Sequence, residues 1–122
     1  MVADFLNLES TKKALGVDES HDFSPYVADL LDAGFPGLIY AGDVDFICNY
    51  LGNQAWTKGL AWTHKEDFNA AEVHDWNGGT GLARSSNGFT FLQVKDGGHM
   101  VPSDQPEVSL TMLKTFLTGG EF

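Results

Sequence analysis

Cysteine is almost missing: Cys48 is the single one in 122 residues, which excludes an internal disulfide and a cysteine-built zinc cage and leaves the redox compartment open. Basic residues are scarce too. Seven Lys and Arg against seventeen Asp and Glu give a formal charge of -10 and a pI near 4.5. That balance disfavours phosphate backbones and anionic membranes, so nucleic acid is not an expected partner. No apolar run approaches the ~20 residues of a membrane span. Met1-Val2-Ala3-Asp4 lacks the basic-then-apolar pattern of a secretory leader, so the chain is expected to be cytosolic or to lack its true beginning. No repeat, low-complexity tract or linker interrupts residues 1–122, and a single segment is expected.

What is present suits a globular α/β chain. With 43% hydrophobic and 20% charged residues, it can bury roughly two-thirds of its unfolded surface. Val2, Phe5, Leu6, Leu8, Ala14 and Leu15 predict one or two short helices that stop at Gly16, followed by an acidic loop over 18–23. Ser24 before Pro25 reads as a helix cap, with Val27, Leu30 and Leu31 on one face and Gly34 as the stop. Leu38, Ile39 and Tyr40, framed by Pro36-Gly37 and Gly42, form an apolar run too short for a helix and suited to a buried strand. Ile47, Leu51, Ala55 and Leu60 then recur at helical intervals beside Trp56, predicting a helix to about Gly59.

Residues 61–80 show no clean period and read as loops with one strand through Val73. Asn87-Gly88 between 84–86 and 89–94 is a hairpin signal, because that dipeptide accepts the positive backbone angles of a type I′ turn. Asp104 with Glu107 resembles a capping pair for a closing helix that carries Leu110, Leu113 and Leu117 on one face. The aromatics Trp56, Trp62, Phe89 and Phe91 are expected in the core.

The chemistry lies at two strand ends. The first apolar run stops at Asp43 and Asp45; the strand over 89–94 releases Lys95-Asp96-Gly97-Gly98-His99-Met100. Open α/β sheets place ligands beyond such ends, so Asp45 and His99 can meet although they are distant in sequence. A carboxylate that accepts one imidazole proton fixes the tautomer and supports the cation formed when the other nitrogen takes a proton. On spacing alone, a capped turn and an exposed loop histidine explain the same residues, and Asp43 reads as turn architecture. His64, His74 and Asp75 match no ligand spacing, so no metal or cofactor is expected.

The segments Tyr40-Ala41-Gly42-Asp43-Val44-Asp45-Phe46-Ile47-Cys48-Asn49-Tyr50-Leu51-Gly52-Asn53 and Gly98-His99-Met100-Val101-Pro102-Ser103-Asp104-Gln105-Pro106 closely resemble the serine carboxypeptidases of the carboxypeptidase Y type. Phe5-Leu6-Asn7 and Ala14-Leu15-Gly16-Val17 match that family too. The resemblance implies the carboxy-terminal part of an α/β-hydrolase fold, with Asp45 and His99 as triad acid and base, in the family's chain order of Ser, Asp, His. It also implies that Cys48 and Met100 border the substrate pocket, although a small buried thiol at a helix start is the plainer reading of Cys48. The implied substrate is a peptide carboxy-terminus, and the implied location is a vacuole, a lysosome or the exterior.

Two departures qualify that likeness. None of Ser10, Ser20, Ser24, Ser85, Ser86, Ser103 or Ser109 has glycine two positions before it, so no Gly-x-Ser-x-Gly elbow occurs and the nucleophile is expected upstream of these residues. A longer cysteine-containing stretch common in the family is absent between Phe23 and Ser24. The isolated chain is therefore expected to be inactive and, through exposed sheet edges, prone to self-association. The competing expectation is a non-catalytic binding module.

Overall fold

The computed structural model describes residues 2–19 and 21–122; Met1, and Ser20 of the expected 18–23 loop, lie outside them. Helices α1 (Val2–Leu6), α2 (Glu9–Glu19) and α3 (Ser24–Asp32) precede strand β1 (Gly37–Gly42). Helices α4 (Tyr50–Gly59) and α5 (Lys65–Ala70) lead to strands β2 (His74–Trp76), β3 (Gly81–Ser86) and β4 (Phe89–Val94), then to α6 (Val101–Asp104) and α7 (Pro106–Thr118). The four strands form one sheet in the order β1-β4-β3-β2. β1 pairs parallel to β4, whereas β3 is antiparallel to both β4 and β2.

β4 is the centre of the core because it is covered on both faces. Phe89 and Phe91 point into one cluster with Ala28, Leu31, Ala41, Leu60, Trp62 and Phe68, while Leu92 and Val94 point into another with Trp76, Ala83, Val101 and Met112. Strand alternation alone separates the two sets. A strand buried on both sides needs an almost continuous apolar run, which Phe89–Val94 provides. The Asn87-Gly88 turn before it has φ of 49° and 80°, as a type I′ hairpin requires.

Several elements differ from the expectation. α2 continues through Gly16 to Glu19, since one helical glycine costs only about 1 kcal/mol and neighbouring turns override it. Ser24 sits inside the first turn of α3 rather than before it; Phe23 holds the N-cap position without a side-chain cap bond, and Asp22 Oδ1 accepts the Ser24 amide at 2.9 Å. α4 begins at Tyr50, because the amides of Ile47 and Cys48 bond to Asp45 and the helix is capped by Asn49 through the Gly52 amide. Ile47 is consequently exposed, outside the helical face expected for it.

Within 61–80 a short helix, α5, appears where loops were expected, and the strand is β2, one residue beyond Val73. Six residues are too few to show a period, but buried Phe68 pins α5 to the sheet. Arg84 Nη1 donates to the carbonyls of Phe68, Asn69 and Ala71, closing its end. Leu110, Leu113 and Leu117 do share a face of α7, yet that face is exposed; the helix packs through Ser109 and Met112. No helix among the described residues is long and apolar enough to cross a membrane.

Gly42 marks the tightest approach in the sheet. A Cβ built there falls on the Gly97 carbonyl and within 2.7 Å of the Gly98 carbonyl oxygen, both backbone atoms that cannot yield. Gly42→Ala is expected to destabilise the chain by about 3 kcal/mol or more. Gly59→Ala, on a helix end with nothing within 4 Å, is expected to stabilise by about 0.5–1 kcal/mol. Urea unfolding of the two variants checks this; equal effects would contradict it.

Candidate active site

In the parallel pair, Gly42 of β1 lies beside Val94 of β4, so both strands leave the sheet at one level. Asp45 and His99 follow within a few residues. Three bonds then tie the two exits together. The Asp43 amide donates to the Val94 carbonyl at 3.0 Å and the Val44 amide to the Gly97 carbonyl at 3.1 Å, while Oδ1 of Asp43 accepts the Asp96 amide at 2.8 Å. Asp43 is therefore architectural, but it braces the opposite loop rather than only its own turn.

The histidine loop is held from its other side by Asp104. The expected capping pair does not form: Asp104 ends α6, and its Oδ2 accepts the Gly98 amide at 2.8 Å, fixing the residue just before His99. Gln105 adds a bond from Nε2 to the Asp96 carbonyl at 3.2 Å.

Asp45 is enclosed, with its side chain 6% exposed, whereas that of His99 is 58% exposed. Oδ1 of Asp45 accepts the amides of Ile47 and Cys48 at 2.9 and 3.0 Å, and Oδ2 stands 3.0 Å from Nδ1 of His99. A carboxylate only accepts, so Nδ1 carries a proton, and a neutral ring keeps its lone pair on Nε2. Burial alone would push the Asp45 carboxyl up. The bonds from His99 and from the Cys48 and Ile47 amides outweigh it and hold the group below the usual carboxylate value.

A cleft of about 210 Å³ opens beside the pair, with Tyr40, Asp45, Cys48, Asn53, His99 and Val101 on its walls. Cys48 is exposed rather than a small buried thiol, because it precedes α4 on a bend. Met100 is exposed and caps α6, and it is not among the described residues lining this cleft. His64, His74 and Asp75 are exposed and serve elsewhere. His64 lies 3.2 Å from Asp67, His74 lies 2.7 Å from the Phe122 carbonyl oxygen, and Asp75 faces Lys95.

Asn53 is a site residue that sequence reasoning passed over. Its Nδ2 donates to the carbonyls of Cys48 and Asn49 at 2.9 and 3.1 Å, and its Oδ1 accepts from Trp56 Nε1 at 3.0 Å. The available signal was an asparagine one turn into a helix that another asparagine caps.

Paired strand ends that deliver an acid against a histidine suit a hydrolase, and comparison with known proteins decides the family. The serine carboxypeptidase family model matches residues 2–119. The chain belongs to the serine carboxypeptidase family. Carboxypeptidase Y of Candida albicans is 44% identical over 141 aligned residues, covering 97% of this chain and 26% of the relative. That of Saccharomyces cerevisiae is 39% identical and covers 98% of this chain and 27% of the relative. The crystal structure of Kex1(delta)p, a prohormone-processing carboxypeptidase from Saccharomyces cerevisiae, matches with a TM-score of 0.69 at 25% identity. It covers 79% of this chain and 22% of that one. The sheet and helices here are thus part of an α/β-hydrolase fold. The chain spans about a quarter of the length of the curated relatives it matches.

Because Asp45 is held below its ordinary value, its ionised form favours the folded state. That contribution is whole above about pH 5 and is lost as the pH falls through about 4 and below. The thermal midpoint is expected to drop between about pH 5 and 3, and to drop less in Asp45→Asn, where Asp22, also lowered by its bonds to Ser24, remains. A parallel decline in both proteins would contradict the assignment.

Proposed function

We propose that these 122 residues carry the acid and the base of a serine-type carboxypeptidase, which removes residues from the carboxy-terminus of peptides, and that the nucleophilic serine lies outside them. The observation that carries this reading is the 3.0 Å contact between Asp45 and His99 at adjacent parallel strand ends of a serine carboxypeptidase family member. The lack of any Gly-x-Ser-x-Gly, together with a span of about a quarter of the relatives' length, supports placing the nucleophile elsewhere.

In this mechanism Nε2 of His99 takes the serine proton as the oxygen attacks the scissile carbonyl. The tetrahedral intermediate collapses when His99 returns that proton to the leaving amine. Water then enters the acyl-enzyme by the same proton path in reverse roles. Asp45 holds the Nδ1 proton throughout and stabilises the imidazolium without becoming protonated. The exposure of His99 in this chain fits a ring whose Nε2 meets a group from another segment. Cys48, on the cleft wall, borders the substrate; Met100 does so only if the remaining segment covers it. The compartment that suits this reading is vacuolar or secretory.

A second reading, a non-catalytic binding module, rests on the apolar rim beside the site, where Phe46 is 93% exposed and Val44, Ile47 and Leu51 are exposed as well. Labelling by a fluorophosphonate separates the two. The 122-residue chain alone is expected to take no label. The same chain joined behind the serine-bearing part of Candida albicans carboxypeptidase Y is expected to be labelled, with His99→Ala slowing labelling by at least about 10³-fold. Serine labelling of the short chain, or labelling of the joined protein indifferent to His99, would overturn the proposal.

A further inference from the structure

Asp45, Cys48 and His99 bring a carboxylate oxygen, a thiol sulfur and an imidazole nitrogen within 4.8 Å of one another. Tetrahedral zinc holds sulfur at about 2.3 Å and nitrogen or oxygen at about 2.0–2.1 Å, which sets its ligands roughly 3.3–3.5 Å apart. Oδ2 of Asp45 and Nδ1 of His99, 3.0 Å apart, are already close to that separation. The sulfur has the distance to close, and it is free to do so. Cys48 is held through its backbone only, its amide on Asp45 Oδ1 and its carbonyl on Asn53 Nδ2, while its side chain is exposed.

The surroundings favour a cation. Among the described residues lining the cleft there is no Lys or Arg, and a chain of net charge -10 attracts cations from a distance. The donor set decides which cation. One thiolate, one imidazole and one carboxylate suit zinc and its first-row neighbours, whereas magnesium and calcium require oxygen ligands. The cleft leaves a fourth position open to water. Local spacing hides this constellation, because the histidine lies 54 residues from the aspartate.

We propose that Asp45, Cys48 and His99 form a divalent transition-metal site, with zinc as its fitting occupant, bridging the loops that follow β1 and β4. On binding, the Cys48 thiol gives its proton to solvent, and the His99 proton moves from Nδ1 to Nε2 while the ion replaces the hydrogen bond to Asp45. Two effects follow. The ion crosslinks two loops that only the folded chain brings together, so it raises stability by mass action. It also removes the lone pair on Nε2, making zinc a reversible inhibitor; that second effect rests on the function proposed above, and the first does not.

The test uses the 122-residue chain titrated with cobalt(II) in the presence of excess magnesium, which occupies surface carboxylates but not a thiolate. One equivalent is expected to bind, with a thiolate-to-cobalt charge-transfer band in the near ultraviolet, displacement by zinc and a raised thermal midpoint. Cys48→Ser, an exposed substitution that leaves the core intact, is expected to abolish the band, and both it and His99→Ala to weaken zinc binding by about tenfold or more. His64→Ala is expected to leave binding unchanged, and circular dichroism reports whether each variant is folded. Absence of the band, non-saturating binding, or affinity that survives Cys48→Ser or depends on the cysteine alone would overturn the site. Because each readout is independent of peptide hydrolysis, failure here leaves the serine carboxypeptidase reading to its own labelling test.

Discussion

The parallel pairing of β1 with β4 is the constraint from which the rest of the site follows. It sets Gly42 level with Val94, so two loops must leave the sheet side by side. Side by side is not yet a site, because unbraced loops wander. The absence of a Cβ at Gly42 lets the Gly97 backbone come into direct contact with β1, and Asp43, Asp96 and Asp104 then fasten the two exits to each other and to α6. Parallel pairing is also what demands the crossover through α4, α5 and the β2–β3 strands, since adjacent parallel strands cannot be joined by a tight turn.

On that frame, the polarity of the site comes from one carboxylate with divided duties. Oδ1 of Asp45 is saturated by two backbone amides and cannot swing, which leaves Oδ2 aimed at His99. The same two amides explain why α4 starts late and why Cys48 is presented on a bend rather than buried in a helix. A single side chain thus orders the loop, orients the imidazole and places the sulfur. Burial opposes its charge, and hydrogen bonding restores it.

Much of this was legible in the residues. The Asn87-Gly88 hairpin, the buried β4 run and the existence of a strand at Leu38–Tyr40 follow from turn chemistry and apolar length, but that strand is not the buried one expected: β1 is the edge of this sheet, with Leu38 and Ile39 half-buried and Tyr40 exposed. What escaped reading depended on contacts between distant segments. α5 is short enough that only Phe68 and the Arg84 clamp make it a helix, and neither contact is visible in a six-residue window. Asp104 looked like a helix cap because Asp followed by Glu three residues on is a local pattern, yet its partner is the Gly98 amide. The exposed face of Leu110, Leu113 and Leu117 shows the same limit: helical spacing defines a face, but it does not say what covers it.

Asp45 keeps the proton of His99 on Nδ1, leaving Nε2 of the neutral ring as the acceptor. Nitrogen-15 NMR of the isotopically labelled chain, at a pH where the ring is neutral and with the resonance assigned by its loss in His99→Ala, reads that proton directly. A protonated Nδ1 and a pyridine-like Nε2 are expected in the native chain, with the preference collapsing toward Nε2–H in Asp45→Asn. A native ring already protonated on Nε2, or a tautomer indifferent to Asp45→Asn, would contradict it.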